Sequence, residues 1–154
     1  MINGYIPAAR FLPFLSWTDV AALPDKSNTV IVLPTGAIEQ HGPHLPCSVD
    51  SVISSGVAGH ALARLPATIP AYAIPPIVYG KSEEHLHFPG TLTLSGDTLL
   101  HTLLEIAESL YRAGFRKLLM INGHGGQPQI LQIACREMRL RHGDFIAIPH
   151  DVFN

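Results

Sequence analysis

The sequence predicts an α/β fold in which a mostly parallel sheet lies between layers of helices, a three-layer α/β/α arrangement. Two observations predict it. Short runs of β-branched and apolar residues alternate along the chain with longer segments in which apolar residues recur at helical spacing. The length of 154 residues is also that of one domain, so a single core across residues 1–154 is expected.

Four short apolar runs are predicted to form the strands. They cover residues 29–33, 74–78, 117–121 and 145–148. Each has the length and the apolar or β-branched content of a buried strand. Strands that alternate with helical segments form parallel pairs, because each crossover returns the chain to the same end of the sheet.

Three segments with helical periodicity are predicted to connect the strands. They cover residues 51–65, 97–113 and 128–142. Gly114 follows the second segment as a C′ glycine, and Pro128 lies in the first turn of the third. Residues 80–96 form a long polar loop rich in His, Glu and Gly, and a loop of that length inside a compact domain tends to be functional.

Composition and charge exclude several classes of partner. The net charge is -2 and the ten Lys and Arg residues are scattered, so neither nucleic acid nor an anionic membrane is an expected partner. Two cysteines form no disulfide framework, and no run approaches the roughly 18 apolar residues of a membrane span, so a cytoplasmic location is expected. The charged fraction of 14% is low, which predicts an oligomer or a missing piece that packs on the chain.

Residues of the types that bind metals follow three of the predicted strands. Glu39, His41 and Asp50 follow the first strand, His85 the second and His124 the third. Ligands bind outside the carboxyl ends of the strands in open α/β sheets, and residues i and i+2 of extended backbone project to the same side. Oxygen and nitrogen ligands of this kind suit Zn²⁺ or Mn²⁺.

Each of these residues also has a simpler interpretation. Asp50 stands where a helix begins and could be only its N-cap, and Glu39 and His41 could be solvated loop residues. The glycine-rich turn at 123–126 could bind a phosphate at a helix N-terminus, although its pattern matches neither the dinucleotide fingerprint nor the Walker loop.

Three blocks of sequence, taken together, resemble the creatininase family. They are Pro-Thr-Gly-Ala-Ile-Glu39-Gln-His41-Gly-Pro-His44 with the later Asp50, then Tyr79-Gly-Lys-Ser-Glu-Glu-His85-Leu-His-Phe-Pro-Gly-Thr91, then Asn122-Gly-His124-Gly-Gly126. The order and spacing of the blocks are similar to those of the family, and the similarity covers nearly all of the chain.

The resemblance implies a homo-oligomeric, hexameric amidohydrolase with two divalent metals per subunit, Zn or Mn, with Mg or Fe as further candidates. Glu39, Asp50 and His124 would hold one metal, and His41 with a bridging Asp50 the other. A hydroxide activated by metal would cleave the C–N bond of a cyclic amide, formamide or short peptide. His85 is the candidate catalytic residue that would contact this small amide substrate.

Two departures from the family pattern matter. Creatininase itself carries a glutamate, a ligand of the second metal, two residues after the histidine that corresponds to His124, whereas this chain has Gly126. This favours the formamide-cleaving and peptide-processing branches over creatinine as substrate. Family members also continue to a His-Ala-Gly-Glu type segment, so the chain is expected to cover the N-terminal portion of such a domain. One alternative stays open, namely that the chain is a truncated or degenerate family member that binds metal without catalysis.

Overall fold

A computed structural model describes residues 2–153, and its centre is a sheet of four parallel strands in the order β2-β1-β3-β4. The strands are β1 (Val30–Thr35), β2 (Ala71–Ala73), β3 (Lys117–Asn122) and β4 (Ile146–Asp151). The register places Thr35 opposite Asn122, and Asn122 opposite Asp151. The carboxyl ends of β1, β3 and β4 are therefore level with one another at one edge of the molecule.

Four α-helices accompany the strands. They are α1 (Trp17–Ala22), α2 (Val49–Arg64), α3 (Gly96–Arg112) and α4 (Pro128–Arg141), with 3-10 turns at Ala8–Arg10, Leu12–Phe14 and Glu83–His85. The short α1 was not predicted; it begins with a capping box in which Ser16 and Asp19 bond each other's backbone N–H groups. Within residues 2–153, no helix has both the length and the apolar character needed to cross a bilayer.

Helices cover both faces of the sheet, which confirms the predicted three-layer α/β/α class. Ile31 and Leu33 of β1 point into a core shared with α3 and α4, where Leu103 and Leu131 are fully buried. Val32, between them in β1, points to the opposite face and packs in the cluster formed with α2. Alternate residues of a strand project to opposite faces, so one apolar run fills both cores.

The second strand lies earlier in the sequence than predicted. Residues 74–78 were expected to form it, but the strand is Ala71–Ala73. Pro75 and Pro76 have no backbone N–H to donate to a neighbouring strand, and only Ile77 returns to form an isolated bridge with Thr35. The ends of the other strands and of helices α2 to α4 agree with the predictions within three residues.

Candidate metal centre

The five site residues predicted from the sequence come together at the carboxyl edge of the sheet. Glu39 and His41 lie in the loop after β1, Asp50 in the first turn of α2, His124 in the turn after β3, and His85 in the 3-10 turn that follows β2. Strand β1 has β2 on one side and β3 on the other, so connections leave it in both directions. This is the topological switch point, where an open α/β sheet has its crevice.

Asp50 is not an N-cap. The helix is preceded by Ser48, whose side chain makes no capping bond, and Asp50 is the second residue of α2. Its carboxylate points to the two histidines instead: Oδ1 lies 2.9 Å from His41 Nε2, and Oδ2 lies 2.9 Å from His124 Nδ1. The side chain is buried, and the positive end of the helix dipole favours its negative charge.

Glu39 is not a solvated loop residue. Its side chain is only 8% exposed, and Oε1 lies 3.3 Å from His124 Nδ1. The backbone N–H of Glu39 donates to the carbonyl of Cys47, which closes the loop between β1 and α2. This closure brings the carboxylates of Glu39 and Asp50 to the same two imidazoles.

Backbone carbonyls anchor both imidazoles in the same way. The carbonyl of Glu39 accepts from Nδ1 of His41 at 3.2 Å, and the carbonyl of Lys81 accepts from Nε2 of His124 at 2.7 Å. A carbonyl can only accept, so the proton lies on the anchored nitrogen of each ring. The other nitrogen of each ring faces a buried carboxylate, an arrangement that is stable only with a proton or a metal cation between them.

Two buried oxygens of the site have no hydrogen-bond partner among residues 2–153. They are Oε2 of Glu39 and Oδ2 of Asp50; the short contact of the latter with His124 lacks the alignment of a hydrogen bond. Leaving a buried carboxylate oxygen unpaired is costly, whereas a divalent cation would satisfy it. The donor set therefore fits a metal.

The potential ligand atoms fall into two groups of three. Glu39, His41 and Asp50 form one, and Glu39, Glu84 and His124 form the other; within each group the ligand atoms all lie within 4.8 Å of one another. Glu39 belongs to both groups and has two carboxylate oxygens to offer. The two groups would offer ligands to two divalent cations, and Asp50, the bridging carboxylate implied by the resemblance, contacts both His41 and His124.

The electrostatic environment of His124 is strongly negative. Burial by itself would lower the pKa of this ring, but the close contact with Asp50, the bond to the Lys81 carbonyl and the charges of Glu39 and Asp50 together raise it above its usual value. The same field that draws a proton to the ring would draw a cation.

His85 lies at the rim of the site. Its Nε2 is 3.9 Å from Oε1 of Glu39, and its Nδ1 accepts a 3.3 Å hydrogen bond from the Gln40 side-chain amide. This bond leaves the proton of a neutral ring on Nε2, directed toward the carboxylates. A half-buried imidazole in this position can hold or move a proton beside the centre.

Sequence reasoning did not select two residues of the site: Glu84, although it stands in a loop rich in residue types that bind metals, and Gln127. Gln127 is fully buried and joins three loops, because its amide donates to the carbonyl of Gly36 and to Asn122 while its carbonyl oxygen accepts from the N–H of Lys81. Glu84 follows another glutamate in a polar loop, and no pattern in the sequence indicates which of the two faces inward.

The glycine-rich turn does not have the surroundings of a phosphate site. A Cβ at Gly123 would collide with the backbone of Asp50, and one at Gly126 would collide with the carboxylate of Glu84. The turn therefore packs against acidic residues, which would repel an anion.

A groove of about 360 Å³ adjoins the centre between the loops that follow β1 and β2. It is lined by Gln40, Gly42, Pro43, Leu45, Cys47, Phe88 and Pro89. Most of these residues are apolar, and Gln40 connects the groove to His85.

Fold and site together define a class, that of α/β proteins with a carboxylate and imidazole centre at the strand ends. Over residues 13–154, the chain matches the sequence profile of the family described as "Creatininase: Creatinine amidohydrolase". The chain belongs to the creatininase family.

Relatives of known activity differ in their substrates. The chain is 36% identical over 125 residues to the mycofactocin precursor peptide peptidase of Mycolicibacterium smegmatis, a match that covers 80% of this chain and 50% of the relative. It is 34% identical over 138 residues to the creatinine amidohydrolase of Pseudomonas putida, a match that covers 84% of this chain and 52% of the relative. The chain thus spans about half the length of these relatives.

Solved creatininase structures share the fold. A structure described as "Creatininase Mn" has a TM-score of 0.78 and 33% identity, and the match covers 92% of this chain and 58% of that one. A mutant creatininase of "Zn-Zn type" has a TM-score of 0.79 and 31% identity, with 93% and 58% covered. Another mutant, complexed with creatine, has a TM-score of 0.78 and 31% identity, with 94% and 58% covered.

Proposed function

We propose that this chain carries the metal centre of an amidohydrolase that cleaves a C–N bond in a small amide or a short peptide. Glu39, His41, Asp50 and His124 would hold two divalent cations, Zn²⁺ or Mn²⁺. One observation carries the proposal: two imidazoles, each anchored through one nitrogen by a backbone carbonyl, turn their other nitrogens to buried carboxylates with unpaired oxygens.

The residues of the chain would divide the work of the reaction. Lewis acidity, which polarises an amide carbonyl and makes water a nucleophile near neutral pH, is what divalent cations supply in such a site. Glu39 and Asp50 provide the negative charge that binds the cations, and the carbonyls of Glu39 and Lys81 fix the ring orientations of His41 and His124. His85, whose ring accepts a hydrogen bond from Gln40, would exchange a proton with the reacting groups.

The groove and the relatives support a proposal for the substrate class. The groove beside Gln40 is mainly apolar and of a size that admits a side chain or a small ring, and one relative is a peptide peptidase while the other is a creatinine amidohydrolase. We propose an amide with an apolar substituent, a short peptide or a formamide, in preference to creatinine.

Metal binding is tested apart from catalysis. After dialysis against chelator and reloading with Zn²⁺ or Mn²⁺, elemental analysis should find two ions per chain, and a variant with both His41→Ala and His124→Ala should retain none. His101→Ala is the matched control, because that exposed ring lies on α3 and, among residues 2–153, is hydrogen-bonded to the backbone of Asp97 alone. An unmodified chain without bound metal would disprove the proposal.

Catalysis is tested on the reloaded chain. We expect release of amine from at least one of a panel of short peptides, formamidopyrimidines and creatinine, with a rate that depends on added metal. His85→Gln should lower kcat by about 10²-fold, the usual contribution of a general acid or base, while the metal content stays the same. If the chain has its full metal content but hydrolyses no compound of the panel, it binds metal without the proposed activity.

A further inference from the structure

Glu84 and any side chain at position 126 would occupy the same space. A Cβ built on Gly126 would overlap with Oε1 of Glu84 and would also crowd Nε2 of His124. Only a residue without a side chain at 126 lets the carboxylate of Glu84 reach this place. Gly126 and the position of Glu84 are therefore two parts of one arrangement.

The carboxylate of Glu84 lies among the potential ligand atoms of the centre. Its Oε1 is 3.9 Å from Nε2 of His124, and an oxygen of Glu84, an oxygen of Glu39 and a nitrogen of His124 all lie within 4.8 Å of one another. Glu39 is more than nine-tenths buried, and its Oε2 has no partner within residues 2–153. Two carboxylates and an imidazole form a ligand set that suits a divalent cation.

We propose that Glu84 is a metal ligand of this centre. The loop after β2 would thereby supply a carboxylate that position 126, as a glycine, cannot supply. The inference rests on the proposed function, since it concerns the same pair of cations. Glu84 would join Glu39 and His124, the residues that the resemblance gives to the first metal, and would thus add a carboxylate to the pair of cations from a different loop.

Lys81 holds Glu84 in reach of the site without fixing it. Its Nζ lies 3.3 Å from Oε2 of Glu83 and 3.7 Å from Oε2 of Glu84. Both glutamate side chains are more than 40% exposed, so the pairs are screened by solvent and weak. Glu84 can therefore turn to a cation while Lys81 stays paired with Glu83.

Glu83 is a matched control for Glu84. The two residues are adjacent, carry the same side chain and contact the same lysine, but Glu83 belongs to neither group of potential ligands. Glutamine has the shape of glutamate without its charge. Glu84→Gln and Glu83→Gln therefore differ in whether a ligand is lost.

Ion content and affinity for Zn²⁺ and Mn²⁺, measured by equilibrium dialysis with elemental analysis, test the inference. Glu84→Gln should lose one ion per chain or bind it at least tenfold more weakly, whereas Glu83→Gln should match the unmodified chain. Co²⁺ loaded in place of these ions gives a second measurement: its visible absorption should change in Glu84→Gln only. Thermal unfolding in chelator should be alike in all three proteins, which would show that the fold is retained.

Other results would overturn the inference, and they distinguish it from the proposed function. If Glu84→Gln binds two ions as tightly as the unmodified chain, Glu84 is not a ligand and the metal centre itself stands. The same result with lost hydrolysis would assign Glu84 to the substrate, which also ends the ligand role. If the unmodified chain binds no ion, both proposals fail.

Discussion

Two neighbouring glycines in the turn after β3 have different surroundings. A Cβ on Gly125 would meet nothing within 4 Å, whereas one on Gly126 would collide with Glu84 and His124. Backbone freedom does not distinguish them, since neither has a positive φ. The space beside the metal centre makes position 126 special.

This difference predicts the effect of adding one methyl group. Gly126→Ala should push Glu84 away and move the ring of His124, so the affinity for Zn²⁺ should fall about 10- to 100-fold, as it does when residues that orient metal ligands are changed. Gly125→Ala should bind Zn²⁺ like the unmodified chain. Titration of both variants with a chelating indicator measures the effect, and equal affinities would contradict it.

Helices of this protein begin in different ways, and the difference has an energetic consequence. At α3 the side chain of Ser95 accepts from the N–H of Thr98. At α2 the corresponding residue, Ser48, makes no such bond, because its backbone (φ -90°, ψ 8°) is not in the extended conformation that Ser95 adopts and that a side-chain cap requires. Of these two helices, α3 therefore has a stabilising side-chain cap and α2 does not.

The two serines form a matched pair for mutation. Ser95→Ala should destabilise the protein by about 1 kcal/mol through the loss of its capping bond, which corresponds to roughly 3 °C in Tm for a chain of this size. Ser48→Ala should change stability by less than about 0.5 kcal/mol. Thermal unfolding followed by circular dichroism in the presence of chelator compares them, and equal losses would refute the difference.

The limits of sequence reasoning are visible at the same scale. Strands β1, β3 and β4 were predicted because each is a short apolar run, and three helices were predicted because their apolar residues recur at helical spacing. Strand β2 was misplaced because apolar character continues through Pro75 and Pro76, where the backbone has no N–H to share. Helix α1 has only six residues, too few to establish a period.

The site was predictable where local spacing and strand ends determine it. Glu39, His41 and His124 lie next to predicted strands, so their convergence follows from the topology of a parallel sheet. Glu84 comes from a long irregular loop, and its direction depends on the empty space at Gly126 and on the pairing of Lys81 with Glu83. Those tertiary contacts cannot be predicted from the local sequence pattern.

On the scale of the whole molecule, the two faces of the sheet are covered unequally. Helices α3 and α4 cover one face, while α2 covers the other together with Ile6 and Phe11 of the N-terminal segment, mainly over β1, β2 and β3. Ile146 and Ile148 of the edge strand β4 remain 50% and 54% exposed. Exposed isoleucines on an edge strand favour unwanted pairing with strands of other molecules. The homo-oligomer implied by the family resemblance stays a prediction.

A charge on this edge should therefore improve colloidal behaviour. Ile148→Lys should lower the light scattering of a concentrated solution and raise the polyethylene glycol concentration needed for precipitation. Leu140→Lys is the control, since Leu140 is 68% exposed but lies on helix α4 and not on an edge strand. An equal improvement from both substitutions would indicate a general effect of charge.

The buried carboxylate oxygens of Glu39 and Asp50 that have no hydrogen-bond partner among residues 2–153 would make the stability of the metal-bound protein depend on the supply of metal. An ion bound there would crosslink segments that are distant in the chain, and it would stabilise the folded state by about 2.7 kcal/mol at a free concentration a hundred times its Kd. Depleted of zinc or manganese, the same polypeptide would open more often and become a better substrate for proteases.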